Sequence, residues 1–395
     1  MGIAGIRGRL ISAAFAEARF GVSGAEDAPP ANVVRHLEKW SERSQANLGP
    51  ASSVRAIADG AVLPLLRILG YEVRGRTDRP QLVVLDASAG DVAGDVTVPL
   101  AITGWGGSLD GLWRDVVLDG IRADGRWGIC CNGTSLRVVD LRRTWNRQYL
   151  EFDLAVIADD ETARRLLWAL VCARSMTARP PALDRAVEQS ARHGVAVRKA
   201  LGDGVLEALT LVFGAIATRR GQPPPRILFE QALTVLYRIL FLLFAEARAL
   251  VPIWHPVYRD RYTINGIVTA LLEGRRYGGI WSAILAISRL AHAGCRAGEL
   301  TVTPFNGRLF SPACSMAFDR SRIADGVLDQ AVLAVGTTHA TGVRARISYS
   351  DIDVEQLGAI YERVLEYEPG DSSPASLVRT RDVRRSSGTF YTPRA

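Results

Sequence analysis

An acid and a set of glycines follow a strand-like run in LVVLDASAGDVAG, residues 82–94. Asp86 followed by spaced glycines imitates the loop that holds S-adenosylmethionine or a nucleotide. Such a loop needs a helix after the glycines, to aim its N-terminal amides at the ligand. Here a β-type run, VTVPL, follows instead, so the segment reads as a loop between strands. Other chemistry-bearing residues are scattered. The five cysteines (130, 131, 172, 295 and 314) show no CxxC spacing, and the five histidines form neither HxxxH nor HExxH. No zinc site or disulfide framework is expected, and the thiols read as reduced in a cytoplasm.

Metal-dependent cleavage of DNA is a second chemistry to weigh. A helix, two strands, a helix and a further strand follow the order expected of a PD-(D/E)xK nuclease. That chemistry needs an acid at one strand start and a second on the next strand to hold Mg²⁺. A lysine two positions on then positions or activates the attacking water. In the natural register these positions are Gln81, Ala101 and Thr103, and none has the required group. The chain has two lysines, Lys39 and Lys199, and neither lies in this part. Asp91 and Asp95 could form a migrated pair but read as loop acids. No catalytic or metal-binding residue is therefore expected, and a residual Mg²⁺-dependent endonuclease stays as an alternative.

The elements that would position these residues follow from periodicity. Residues 9–20 and 32–47 read as amphipathic helices, and a third helix over 53–69 ends where Gly70 can cap it. The period then becomes alternating: 80–87 and 96–105 read as strands, and 108–122 as a helix with Ser108 as a possible N-cap. In WGICCNGTSLRVVDL two apolar runs flank Asn132-Gly133, the pattern of a type I′ hairpin. Residues 149–157 supply another strand and 159–176 a helix. TARPPALD (177–184) reads as a linker. Helices follow over 184–217, 226–250, 263–273, 278–293 and 321–335. The turn TVTPFNGRLFSP (301–312) reads as a packed loop built on Phe305, Asn306, Leu309 and Phe310, with Gly307 supplying an unusual dihedral. The last helix carries Leu357, Ile360, Tyr361, Val364 and Leu365 on one stripe; Ser350 with Asp353 fits a capping box, and Pro369 ends it.

The expected fold class is α+β, mainly α. Its parts are an N-terminal helical segment (1–60), a small mixed-sheet, degenerate nuclease-like domain (61–176), a helical connector (184–369) and an arginine-rich linker (370–395). The 395 residues carry 48 Lys and Arg against 41 Asp and Glu, for a net charge of +7. Nearly all the cations are arginine, whose planar fork suits phosphates and carboxylates; coding bias in a GC-rich genome gives the same excess. Arg379, Arg381, Arg384 and Arg385, with Arg394 beyond them, could track a phosphate backbone or form a solvated linker. The stretch 227–251 is interrupted by Glu230, Arg238, Glu246 and Arg248, so it reads as a core helix and no membrane partner is expected.

Four segments in order, LYRILFLLFAEAR, PFNGRLF, ISYSDIDVEQLGAIYERVLEYEP and SSGTFYTPR, resemble the region preceding the catalytic domain of type IIG restriction–modification enzymes. They are equally similar to adenine-specific DNA methyltransferases of phage-exclusion systems. The WGICCNGTSLRVVDL hairpin and the Gly104-Trp105 pair resemble the N-terminal nuclease-like domain of the same proteins. The resemblance covers most of the chain from residue 55 on. It implies that Gly388, Phe390, Tyr391, Thr392 and Pro393 open a methyltransferase domain and wall part of an S-adenosylmethionine pocket. The family's Asp-Pro-x-x-Gly-x-Gly and Asn-Pro-Pro-Tyr motifs do not occur in this sequence. The expectation is thus a non-catalytic N-terminal part of a site-specific N6-adenine methyltransferase, ending where the catalytic fold begins. Its implied partners are double-stranded DNA, a methyltransferase domain in cis or in trans, and other defence-system subunits. No cofactor is expected for this chain alone, and S-adenosylmethionine for the full-length protein. A free-standing protein-interaction subunit of a defence complex is the alternative.

Overall fold

In a computed structural model the described residues are 3–21, 28–89, 97–113, 116, 126–143, 148–217, 219, 221–275, 277–305, 307–321, 323–338, 344–370 and 377–379. The class is α+β, with one seven-stranded mixed sheet and a majority of helix. The chain divides into two compact units, Met1–Gly194 and Val195–Ala395, with the division falling within the helix Ala182–Ala217. The non-helical stretch 178–181 precedes that helix.

The first unit is built on strands β1 (Ile6–Gly8), β2 (Tyr71–Arg79), β3 (Leu82–Ala89), β4 (Val98–Ile102), β5 (Trp127–Cys131), β6 (Ser135–Asp140) and β7 (Tyr149–Asp153). Their order across the sheet is β1-β7-β6-β5-β4-β3-β2. Every neighbouring pair is antiparallel except β4 and β5, which run parallel and need a crossover. One face packs Val83, Leu85, Leu100, Ile129, Val138 and Phe152 against helical residues such as Ile57, Leu65 and Leu166. The other face packs Val84, Ala101, Cys130 and Val139 against Leu109, Leu112 and Val116. The central strands are therefore buried on both sides, and they read as continuous apolar runs such as LVVL and GICC.

Several local expectations change. The helix starts at Ala13, where the Ser12 side chain accepts from Phe15 N, rather than at residue 9. Strands β1 and β2 add to those expected. β2 is an exposed edge strand with a polar sequence, so it shows little apolar alternation. The third helix runs from Val54 to Ile68 but opens into a π turn over Ala58–Val62. Pro64 has no N–H to offer the carbonyl of Gly60, and the helix widens just before it. The hairpin at Asn132 forms, but its turn is centred on Gly133 and Thr134, and only Gly133 has positive φ (82°). Asn132 instead spends its side chain on the turn: Oδ1 accepts from Thr134 N at 3.0 Å and Ser135 N at 2.7 Å. A type I′ turn is thus replaced by one locked by an asparagine side chain. β7 stops at Asp153, whose carboxylate accepts from Ala155 N and starts the helix Leu154–Asp159. Of the helix expected over 108–122, residues 114–115 and 117–122 lie outside the described residues.

The second unit surrounds the helix Pro225–Ala247. Thirteen of its residues are buried, including Leu236, Leu240 and Leu243. This helix and Ala182–Ala217 are each long and apolar enough to cross a membrane by length and composition, and 61% and 50% of their most apolar windows are buried inside the molecule. Ile264–Leu272, Ile280–Ala293, Asp325–Gly336 and Val354–Val364 complete the larger helices. The capping box of Val354–Val364 is Asp353 with Gln356, not Ser350 with Asp353. Ser350 instead sits in a 3-10 turn with its hydroxyl on that of Ser348. Leu365 leaves the apolar stripe and is exposed, because the helix ends at Val364. Pro369 lies three residues into the next element, a ribbon of Tyr367–Pro369 with Leu377–Arg379.

Candidate functional site

The positions expected to be catalytic in a nuclease lie around β3 and β4. Gln81 is exposed in the turn before β3, Ala101 is buried on β4 opposite Val84, and Thr103 follows β4 with its N–H donating to Cys131 O at 3.0 Å. The Ala101 row continues across the sheet through Cys130 to Arg137 and Glu151. Arg137 Nε donates to Glu151 Oε2 at 2.7 Å, Nη1 donates to Asp110 at 2.6 Å, and the guanidinium lies 3.9 Å from the Tyr149 ring centre. Both hydrogen-bonded acids face this one cation, so the charge of Arg137 is answered by Glu151, which is buried with it, and by the exposed Asp110. Asp86 is exposed on β3 beside Gly75 of β2. Asp91 and Asp95 lie outside the described residues. Among the described residues no group of three His, Cys, Asp or Glu is placed to hold a metal ion. Cys131 is buried in β5, and burial pushes its thiol up to about 11, which leaves a poor nucleophile.

The PFNGRLF segment is organised by a buried cation on the helix Pro225–Ala247. Arg238, 2% exposed, donates from Nε to Leu309 O at 2.9 Å and from Nη2 to Ser311 O at 2.8 Å. Its Nη1 lies 3.6 Å from Asp319, and burial pulls its pKa down against that acid's opposing pull. One turn on, Phe241 stacks on Phe305 at 6.1 Å and meets Phe310 edge-on at 5.9 Å. Gly307 opens a short helix, Gly307–Phe310, and its φ is not positive; the unusual dihedral expected there belongs instead to Gly294 (φ 72°). A Cβ on Gly294 would stand 2.6 Å from Val302 O and 2.8 Å from Pro304, so only glycine fits where the chain turns back toward Phe305. Asn306 lies outside the described residues. On the same long helix, Tyr237 meets Tyr361 edge-on at 4.3 Å, and burial pushes the Tyr237 phenol up to about 12.

A groove opens beside this anchor. About 360 Å³ in volume, it is lined by Ala249, Leu250, Val251, Pro252 and Trp254 on one side and Thr301, Val302, Thr303, Pro304 and Phe305 on the other. The long helix ends into it: Leu250 N donates to Ala245 O and Ala249 N to Glu246 O, with Ala249 at φ 53°. This is the Schellman arrangement, with alanine where glycine is usual. Leu250 and Trp254 are each 66% exposed. Below the loop, the Glu246 carboxylate is 4% exposed and accepts from Ile264 N at 2.6 Å and Asn265 N at 2.8 Å. Burial raises its pKa to about 7, against the opposing pull of those N–H groups and of Arg346. Sequence reading missed this groove. The signal was ALVPIWHPV, an aromatic between two prolines, but exposure of Trp254 is not written in that pattern.

A second groove, about 570 Å³, lies between Pro224–Leu233 and Leu365–Gly370, with Phe229, Leu233, Leu365 and Tyr367 in its walls. Beside it Arg379 donates from Nε to Glu366 at 2.8 Å, so this arginine already has an acid partner. Arg381, Arg384, Arg385 and Arg394 lie outside the described residues, as do Gly388, Phe390, Tyr391, Thr392 and Pro393. Charge differs between the units: residues 1–194 carry 24 Lys and Arg against 23 acids, and residues 195–395 carry 24 against 18. No family model matches the chain, and no curated protein or solved structure matches it at a significant level.

Proposed function

We propose that the chain is the N-terminal, non-catalytic part of an adenine-specific DNA methyltransferase of restriction–modification or phage-exclusion type. It contacts DNA in the cytoplasm and positions an S-adenosylmethionine-dependent domain supplied in cis or in trans. The observation that carries the reading is the convergence of two separate segments on one helix, itself the third segment of the resemblance. Tyr237 holds Tyr361 of the VEQLGAIYE stretch, Arg238 holds the carbonyls of Leu309 and Ser311, and Phe241 holds Phe305 and Phe310. Three of the four segments that carry the resemblance, far apart in sequence, are thus in contact, as a single connector would require; SSGTFYTPR lies outside the described residues.

The first unit supports the same reading. A helix, an antiparallel meander of β2, β3 and β4, and a crossover to a parallel β5 suit a nuclease-like domain, while Gln81, Ala101 and Thr103 stand where acids and a lysine would be needed. The excess of cations lies in the second unit, so that unit is the expected source of phosphate contacts.

The test measures duplex DNA binding across a salt series, and N6-methyladenine formation by the chain alone and together with the product of the adjoining reading frame. Salt-dependent duplex binding, with methylation only in the combined sample, is the expected result. No duplex binding at low salt would overturn the DNA reading and favour a protein-interaction subunit. Cleavage of DNA with Mg²⁺ or Mn²⁺ would overturn the non-catalytic reading of the first unit.

A further inference from the structure

The groove beside the end of the long helix has properties that the connector role does not use. None of its lining side chains is ionisable, so a charged group seated inside would lose its hydration without a partner. What it offers is aromatic surface and neutral hydrogen-bonding groups. Trp254 projects from the loop at 66% exposure, and His255 meets it edge-to-face at 5.6 Å rather than stacking on it. Phe305 packs against Phe241 and Phe310, and the exposed residues Thr301 and Thr303 line the groove. Ala249 is the one described non-glycine residue with positive φ, and it lines the same groove. Backbone held off its preferred region is concentrated where ligands bind.

A cation stands next to this neutral space. Cys295–Ala297 and Leu300–Val302 form a two-stranded ribbon in which Arg296 is directly opposite Thr301. Directly opposed residues project from the same face of a ribbon. Exposed Arg296 therefore shares its face with a residue that lines the groove.

We propose that this groove binds an unstacked nucleobase of single-stranded nucleic acid, the base lying on Trp254 and the adjoining phosphate meeting Arg296. A base is neutral and planar, with donors and acceptors on its edges, which matches an uncharged lining of aromatic rings and hydroxyls. A duplex hides the base faces in its own stack, so the strand must be single or locally opened. The volume, on the order of ten water molecules, suits one base with its sugar. The excess of cations over acids in the second unit favours a polyanion over an extended peptide. The proposal deepens the DNA-contacting reading and rests on it for its biological setting.

The experiment uses the full chain and fluorescence anisotropy with a labelled oligothymidine, an abasic strand of equal length and a blunt duplex. The expected result is oligothymidine binding that W254A weakens about ten- to hundredfold, the loss of one base–aromatic stack, with W254F close to wild type. The abasic strand binds wild type as weakly as oligothymidine binds W254A. R296A lowers the slope of log affinity against log salt by about one. Equal oligothymidine binding by wild type and W254A, or no binding, would overturn the proposal. Duplex binding indifferent to W254A would then leave the DNA-contacting reading standing. Trp254-dependent oligothymidine binding without duplex binding would keep the groove and remove the duplex reading. Because Trp254 is largely exposed and W254F retains a ring, a folding defect cannot mimic this pattern.

Discussion

Raising the pH ionises Glu246 inside a site that disfavours charge. Its carboxylate is 4% exposed and bonded to two amides at the start of the helix Ile264–Leu272. Burial outweighs those amides and Arg346, and the pKa rises from 4.5 to about 7. At 1.36 kcal/mol per unit this displacement amounts to about 3 kcal/mol between the two protonation states. The folded-state pKa is raised, so the protonated form is the one the fold prefers. Its stabilising contribution is fully present below pH 4.5, falls as pH rises, and is gone once pH passes about 7. Other groups titrate in the same window, so the assay is a comparison. Urea unfolding of wild type and E246Q is followed from pH 4.5 to 8. The glutamine cannot ionise and carries a pH-independent penalty, because its amide nitrogen cannot accept from one of the two N–H groups. Relative to E246Q, wild type should lose about 3 kcal/mol across the window. A difference between the two proteins that stays constant with pH would refute the reasoning.

Three further outcomes follow from packing. Ala249→Gly should stabilise the protein by up to about 1 kcal/mol, since φ 53° strains alanine and not glycine; a lower unfolding midpoint would contradict this. Gly204→Ala should destabilise by about 2–3 kcal/mol despite alanine's better helix propensity, because a Cβ there would stand 2.0 Å from Ala334 O. A midpoint at or above wild type would show that the two helices can move apart without cost. Arg238→Met should cost about 3 kcal/mol by leaving the carbonyls of Leu309 and Ser311 unpaired, and limited proteolysis should then cut first between residues 305 and 320.

Much of the fold was legible because its signals are local. The long helix at Pro225–Ala247, the hairpin around Gly133 and the strands β3 and β4 follow from apolar runs and turn residues that need no partner to be read. What was illegible has the opposite character. β2 is a polar edge strand that exists because β3 pairs with it. The cap of the last helix shifts three residues because Asp353 and Gln356 satisfy each other's backbone, a choice between two plausible pairs. The candidate groove was not visible because it is made by a helix end and a ribbon some fifty residues apart, and because sequence gives no exposure for Trp254.

The sequence by itself determined the class, the excess of arginine, the absence of the residue types a PD-(D/E)xK centre needs at Gln81, Ala101 and Thr103, and the order of the segments that carry the resemblance. Composition and order along the chain are enough for those. Only the tertiary structure decided that Arg238 is a buried anchor rather than a surface cation, that Glu246 holds its proton near neutral pH, and that Trp254 faces outward beside Phe305. Burial and the identity of a partner set each of these, and both depend on residues distant in sequence that the fold brings within a few ångströms.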